Sequence, residues 1–330
     1  MKALLEYLYQ GAVLTQSEAE DILMEIGQDR FSDAEISSFL TVYLMREITP
    51  GELAGFRNAL MNLCLKVDFS DFDTIDVCGT GGDGKNTFNI STISAFVLAG
   101  AGIRVAKHGN YGVSSPVGSS NLFEQVGYRF TNDPARLRHE VEAAGITFLH
   151  APLFHPAMKY VAPVRRALKT KTFFNMLGPM INPSSPKYQM VGVYSPEVQE
   201  LYSNVFRETG NRYLIIHGLD GYDEISLTGE ARLVSNTSDE TIDPSTLGFD
   251  PVSQHDLFGG NNAAEAAAIF MDVLNNRGTI QQKNTVLANS AAGIRCITPG
   301  KSWSDCIDTA RESLESGKAL ESFHKLISIQ

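Results

Sequence analysis

Val77-Cys-Gly-Thr-Gly-Gly-Asp-Gly-Lys-Asn-Thr-Phe-Asn-Ile-Ser-Thr92 is the stretch from which the rest of the chain is read. Gly79, Gly81, Gly82 and Gly84 follow a short apolar run and precede a segment with helical spacing. A strand-to-helix turn of this composition bends sharply, exposes backbone amides and lets a ligand approach the main chain closely. Lys85 and the hydroxyls of Thr80, Thr87, Ser91 and Thr92 add donors suited to phosphate oxygens. Asp83 lies among them, and a carboxylate beside phosphates is repulsive unless a divalent cation stands between. The turn therefore predicts phosphate together with Mg2+. A nucleotide-triphosphatase loop competes, because Gly79, four residues, Gly84 and Lys85 fit its spacing; Asn86, however, stands where the magnesium-binding hydroxyl belongs. A ligand-free glycine-rich turn is the plainer alternative.

Composition narrows the partners. The 330 residues, 43% hydrophobic and 20% charged, suit one large globular domain or two smaller ones. A formal net charge of -11 argues against capturing nucleic acid or an anionic membrane through a positive field, so an anionic ligand needs local donors. Cys64, Cys78, Cys296 and Cys306 show no Cys-x-x-Cys spacing, which predicts core packing in a reducing compartment. The first residues meet Glu6 before any long apolar run, and no stretch of the sequence is apolar for long enough to span a bilayer. A cytoplasmic protein is expected.

Residues 1 to 66 read as helical, punctuated by three capping boxes: Thr15 with Glu18, Ser32 with Glu35, and Thr49 with Glu52 behind Pro50. So short an all-helical unit has a modest core of its own and needs later helices of the chain or a dimer face. From Thr74 strands and helices alternate. Thr74 to Cys78, Ile103 to Ala106, Ile146 to Leu149, Gln189 to Tyr194 and Tyr213 to His217 are the strand candidates. Ser91 to Gly100, Ser120 to Val126, Pro134 to Ala144 and Pro196 to Thr209 are the helices between them. The pattern predicts an α/β chain with a mainly parallel sheet flanked by helices, and ligands at the carboxyl ends of its strands. A basic helical segment, His155 to Pro186, is interrupted at Pro163 and can return to the N-terminal helices. The expected division is a small helical domain, 1–70 joined by about 155–186, and a larger one, 71–154 with 187–330. Beyond Asp220 we expect irregular β structure, helices at Asn261 to Asn275 and Gln282 to Ala292, a short strand at Arg295 to Ile297, and a closing helical segment.

Two further stretches carry chemistry. Lys107-His-Gly-Asn-Tyr-Gly-Val-Ser-Ser-Pro-Val-Gly-Ser-Ser120 follows a strand candidate, so it converges on the glycine-rich turn, with Ser119 or Ser120 as a helix cap. Asp223-Glu224 follows another; adjacent carboxylates in a loop can face one cation, although solvated loop acids are the plainer reading. Among the basic residues from 155 to 186, an arginine can clamp a carboxylate with two hydrogen bonds, while Arg166, Lys169 and Lys171 read as a solvated face and His155 as structural.

Taken in order, Gly79-Thr-Gly-Gly-Asp-Gly with Thr87-Phe-Asn-Ile-Ser-Thr, Lys107-His-Gly-Asn, His155-Pro-Ala-Met-Lys with Pro163-Val-Arg-Arg, Phe174-Asn-Met-Leu-Gly-Pro and Asp220-Gly-Tyr-Asp-Glu-Ile-Ser resemble the anthranilate phosphoribosyltransferases. The resemblance implies a homodimer joined through the helical domain, and Mg2+-dependent transfer of phosphoribose from phosphoribosyl pyrophosphate to anthranilate in tryptophan synthesis. It puts the donor contacts on Gly79, Gly82, Asp83, Thr87, Asn89, Ile90, Ser91 and Thr92, then on Lys107, His108, Gly109, Asn110, Tyr111, Gly112, Val113, Ser114, Ser115 and Ser119. It puts the metal contacts on Ser91, Asp223 and Glu224, the anthranilate contacts on Gly79, Asn110 and Arg165, and names no catalytic base. Tyr111 and Pro116 stand where the family pattern has arginine and lysine, and Ser120-Asn121 where it has Ala-Asp, so two positive charges are absent from the second loop. A nucleoside phosphorylase is the rival on the same fold, though it has no use for a carboxylate-clamping arginine. A silent nucleic-acid-binding relative is disfavoured by the acidity of the chain.

Overall fold

The computed structural model describes residues 1–112 and 115–330. The chain opens with helices α1 (Lys2–Tyr9), α2 (Gln16–Gly27), α3 (Asp33–Met45) and α4 (Pro50–Leu63). All three capping boxes form: the hydroxyls of Thr15, Ser32 and Thr49 accept from the amides of Glu18, Glu35 and Glu52, whose carboxylates accept in return from the cap amides. Alternation follows through β1 (Thr74–Gly79), α5 (Ile90–Gly100), β2 (Arg104–Gly109), α6 (Ser119–Gln125), α7 (Pro134–Ala144) and β3 (Ile146–His150). An excursion of short helices, α8 (Ala151–Phe154), α9 (Ala162–Leu168) and α10 (Phe174–Leu177), precedes β4 (Tyr188–Gly192), α11 (Pro196–Arg207) and β5 (Arg212–Gly218). A hairpin-like pair, β6 (Ala231–Ser235) and β7 (Asp239–Ile242), leads to α12 (Ala263–Leu274), α13 (Ile280–Ile297), α14 (Trp303–Glu315) and α15 (Lys318–Ser328).

Two compact units result, Met1–Val67 with Ala151–Ser185, and Asp68–His150 with Pro186–Gln330. In the helical unit Phe56 stacks on Phe173 at 4.4 Å, and Phe39 and Tyr43 meet both rings edge-on. A buried carboxylate ties its helices together. Glu52, no part of which is exposed, accepts from the Leu14 amide at 3.0 Å, the Tyr43 hydroxyl at 3.2 Å and the Arg46 guanidinium at 2.5 Å.

The larger unit holds one sheet in the order β3-β2-β1-β4-β5-β6-β7, parallel from β3 to β5 and antiparallel at its last two pairings. α5 is buried over most of its length beneath α13 and α15, as the apolar run Ala95 to Ala99 requires.

Three expectations are corrected. β2 starts one residue later than expected and runs on to Gly109, because Lys107, His108 and Gly109 pair with Phe148, Leu149 and His150; these three belong to the strand, not to the loop. Arg295 to Ile297 is no strand but the end of α13, where the Thr298 amide still bonds Ile294 O and buried Cys296 points its thiol at Gln189 O. The isoleucines of this tail are tolerated in a helix because burial outweighs intrinsic propensity. Pro163 does not interrupt a helix but lies in the first turn of α9, where a missing N–H costs nothing.

Candidate active site

Strand order reverses between β1 and β4, and in an open sheet such a reversal opens a crevice outside the carboxyl ends of the strands. β1 ends at Gly79 and β4 at Gly192, which lie opposite each other. The loop carrying Asp223 and Glu224 rests on both. A Cβ on Gly79 would stand 2.4 Å from Asp223 Oδ2, and one on Gly192 1.5 Å from the Asp223 carbonyl oxygen. Only glycine at both strand ends leaves room for this loop.

Past Gly79 the chain turns with positive φ at Gly81, Gly82 and Gly84, a backbone region that suits glycine. The Gly81 amide donates to Asp223 Oδ2 at 2.7 Å and the Lys85 amide to Asp83 Oδ1 at 3.1 Å. Asp83 Oδ2 is buried without a hydrogen-bond partner. The far arm of the turn is fixed by the Phe88 amide on Leu257 O, the Gly259 amide on Asn86 O, and a single bridge between Thr87 and Phe258. Lys85 lies over the Tyr222 ring at 4.7 Å, joining this turn to the acidic loop.

Asp223 and Glu224 are not solvated loop acids; both are buried. Burial, reinforced by the Asp83 charge, pushes the Asp223 carboxyl up to about 7. Burial and the neighbouring Asp223 push Glu224 well above the usual carboxylate range, with Lys107 and the Ser91 amide pulling the other way. Three acids crowded under the turn need a counter-charge, and a divalent cation fits that need. Among the described residues no three His, Cys, Asp or Glu side chains form a metal cage.

The N-terminus of α5 brings Asn89, Ile90, Ser91 and Thr92 behind the turn, with Ile90 and Thr92 buried and Asn89 and Ser91 partly open. Its positive dipole end suits an anion, and the Ser91 amide already serves the Glu224 carboxylate. Lys107 is buried in β2, where its Nζ donates to Val77 O at 2.5 Å and Ser91 Oγ at 3.4 Å; burial draws its pKa below the ordinary lysine value. His108 is buried beside it. Asn89 Nδ2 reaches Val117 O at 3.4 Å, so the glycine-rich turn and the second loop do meet.

In that loop Asn110, Tyr111 and Ser115 are exposed and Gly112 partly so, as are Gly109 at the end of β2 and Ser119 at the start of α6. Val113 and Ser114 lie outside the described residues. Neither Ser119 nor Ser120 is the cap of α6. Gly118 takes that position, its amide bound by Asn121 Oδ1, while the Ser120 hydroxyl is used by His150 Nδ1 at 2.8 Å. Arg165 belongs to the helical unit, on α9, where its Nη2 donates to Asn175 Oδ1 at 3.3 Å and its guanidinium lies 5.4 Å from the Phe174 ring. Burial lowers its pKa.

Sequence reasoning missed Gly192, Asn289 and Asp76. Asn289 on buried α13 donates to Ile225 O and accepts from the Ile225 amide, pinning the residue after Glu224. Asp76 accepts from the His108 amide and from Gln189 Nε2, bracing β1 against both neighbours. An amide in an apolar helix and an acid in an apolar strand were the available signals; for Gly192 there was none short of the strand register.

Known proteins resemble this chain in sequence and fold. The helical bundle domain of a glycosyl transferase family matches residues 2–64, and the α/β domain of that family matches residues 71–320. Anthranilate phosphoribosyltransferase from Flavobacterium psychrophilum is 51% identical over 326 residues, 99% of this chain and 98% of its own. The chain belongs to the anthranilate phosphoribosyltransferase family. Its fold is similar to that of the family member from Thermus thermophilus, with a TM-score of 0.92, 32% identity and 98% of each chain covered. The Saccharomyces cerevisiae member, solved in complex with PRPP and Mg, gives a TM-score of 0.90 at 27% identity, over 99% of this chain and 98% of that one.

Proposed function

We propose that this chain transfers the phosphoribosyl group of phosphoribosyl pyrophosphate to the amine of anthranilate, releasing pyrophosphate, as the second step from chorismate toward tryptophan. The observation that carries this reading is the glycine-rich turn closing over the buried Asp223–Glu224 pair at the point where strand order reverses. The glycine-rich turn and the positive end of α5 receive the pyrophosphate. Asp223, Glu224 and Ser91 would hold magnesium, which supplies the positive charge that the departing pyrophosphate needs. The anthranilate nitrogen, uncharged at neutral pH, bonds to C1 of the ribose as the C1–O bond to pyrophosphate breaks, and its surplus proton leaves afterwards. No general base is required; alignment of the two substrates supplies much of the rate. For the acceptor, the Arg165 guanidinium of the helical unit is suited to pair with the anthranilate carboxylate.

A homodimer through the helical unit is supported by the exposed apolar side chains Tyr7, Tyr9, Val13, Leu44 and Met45, the last 82% exposed. A cytoplasmic setting is consistent with four free cysteines and with the absence, among the described residues, of any helix long and apolar enough to cross a membrane. The deciding experiment follows the loss of anthranilate fluorescence with phosphoribosyl pyrophosphate and Mg2+, beside phosphorolysis of thymidine. Turnover in the first assay alone is expected; turnover in the second alone would overturn the assignment.

A further inference from the structure

Helix α6 turns a row of polar side chains toward the second loop. Asn121 Oδ1 accepts from the Gly112 amide and from the Gly118 amide, both at 3.0 Å, so one side-chain oxygen ties these two glycines together. Gly118 could not be replaced there, since a Cβ would stand 2.3 Å from the Gly112 nitrogen. Three residues on, and so on the same helix face, Glu124 Oε1 accepts from the Tyr111 hydroxyl at 2.7 Å. The Tyr111 ring meets His150 edge-on at 5.0 Å, and His150 is in turn stacked on Phe130 at 4.0 Å and bonded to Ser120. The Tyr111 amide donates to Asn110 Oδ1 at 2.8 Å, and Asn110 is itself exposed.

We propose that Asn121 and Glu124 are positioning residues for donor binding: from α6 they fix Tyr111, Gly112 and Gly118, so that these three residues are already in place in a stretch whose one lysine, Lys107, is buried in β2. This rests on the donor-binding role given to that loop above. The segment carries little charge with which to draw a pyrophosphate into place, so its affinity depends on how little ordering remains to be done when the ligand arrives. Asn121 holds two main-chain donors and is partly buried, whereas Glu124 holds one hydroxyl at an exposed site; the effects of removing them should rank accordingly.

The test measures binding of phosphoribosyl pyrophosphate with Mg2+ by calorimetry, and KM for each substrate, in the full chain. Asn121→Ala is expected to weaken donor binding about tenfold and Glu124→Ala about threefold, each with a smaller change in KM for anthranilate. Asn121→Asp and Glu124→Gln keep an oxygen acceptor in place and are expected to restore donor binding to within twofold of the parent. Tyr111→Phe combined with Glu124→Ala should bind no more weakly than the weaker single variant, because both remove one bond. Donor affinity unchanged in both alanine variants, or weakened equally by the alanine and the acceptor-keeping variants, would overturn the proposal. Should the parent chain itself bind no donor, the fault lies in the functional reading; Glu124→Ala, at an exposed site, keeps the test open if Asn121→Ala does not fold.

Discussion

At the scale of single residues, the site is governed by what two glycines leave out. Gly79→Ala places a methyl group against Asp223 Oδ2 while leaving every charge in place, so it separates geometry from chemistry. We expect kcat/KM to fall by about a hundredfold, a typical result of displacing a reacting group by an ångström; parent-like kinetics would show that Asp223 does not need its present seat. Arg165→Ala is expected to raise KM for anthranilate about thirtyfold with a smaller change in kcat, the signature of lost binding to a charged partner. The position of Asp223 after a strand was legible in the sequence, because loop placement follows from local pattern. Its burial was not, since that depends on Gly192 and Asn289, respectively 31 and 66 residues away, each of which reads alone as an ordinary residue.

Among the elements, helix starts were the most legible features. Thr15, Ser32 and Thr49 each find their partner three residues on, so nothing distant can alter the reading. The end of α13 was misread for the opposite reason: the strand-like local pattern of its last three residues is overruled by the sheet on which they lie. Glu52 joins both levels, capping α4 locally while bonding Leu14, Tyr43 and Arg46 from other parts of the helical unit. Glu52→Ala strands the Arg46 charge and four further donors, and we expect a loss of about 3 kcal/mol in unfolding free energy, measured in urea. His155, just after α8, makes the same unit acid-sensitive. Burial draws its pKa from 6.5 down to about 4, opposed by a backbone contact with Ile181. The unfolded chain therefore takes up this proton first, and the stability due to the neutral ring is complete above pH 6.5 and lost as pH falls toward 4. It amounts to about 3 kcal/mol at most, so the unfolding midpoint of His155→Gln should depend less steeply on pH across that window than the parent's.

For the molecule as a whole, the apolar side chains left uncovered on the helical unit make a prediction about mass. Leu44→Glu with Met45→Glu should halve the sedimenting mass, and a parent chain that sediments as a monomer would refute the dimer. The sheet's five parallel strands were foreseen from the alternation of apolar runs and helical spacing, whereas the antiparallel pair after them was not resolved as strands, its Ser and Thr residues giving no clear period. The excursion between β3 and β4 has a consequence of its own for how the protein is made. Phe56 is translated early, but the ring that covers it, Phe173, emerges only after three strands of the other unit. On the ribosome the nascent helices must wait through more than a hundred codons with an oily face bare, the interval in which a chaperone would find its grip and a stalled chain would be most prone to clump.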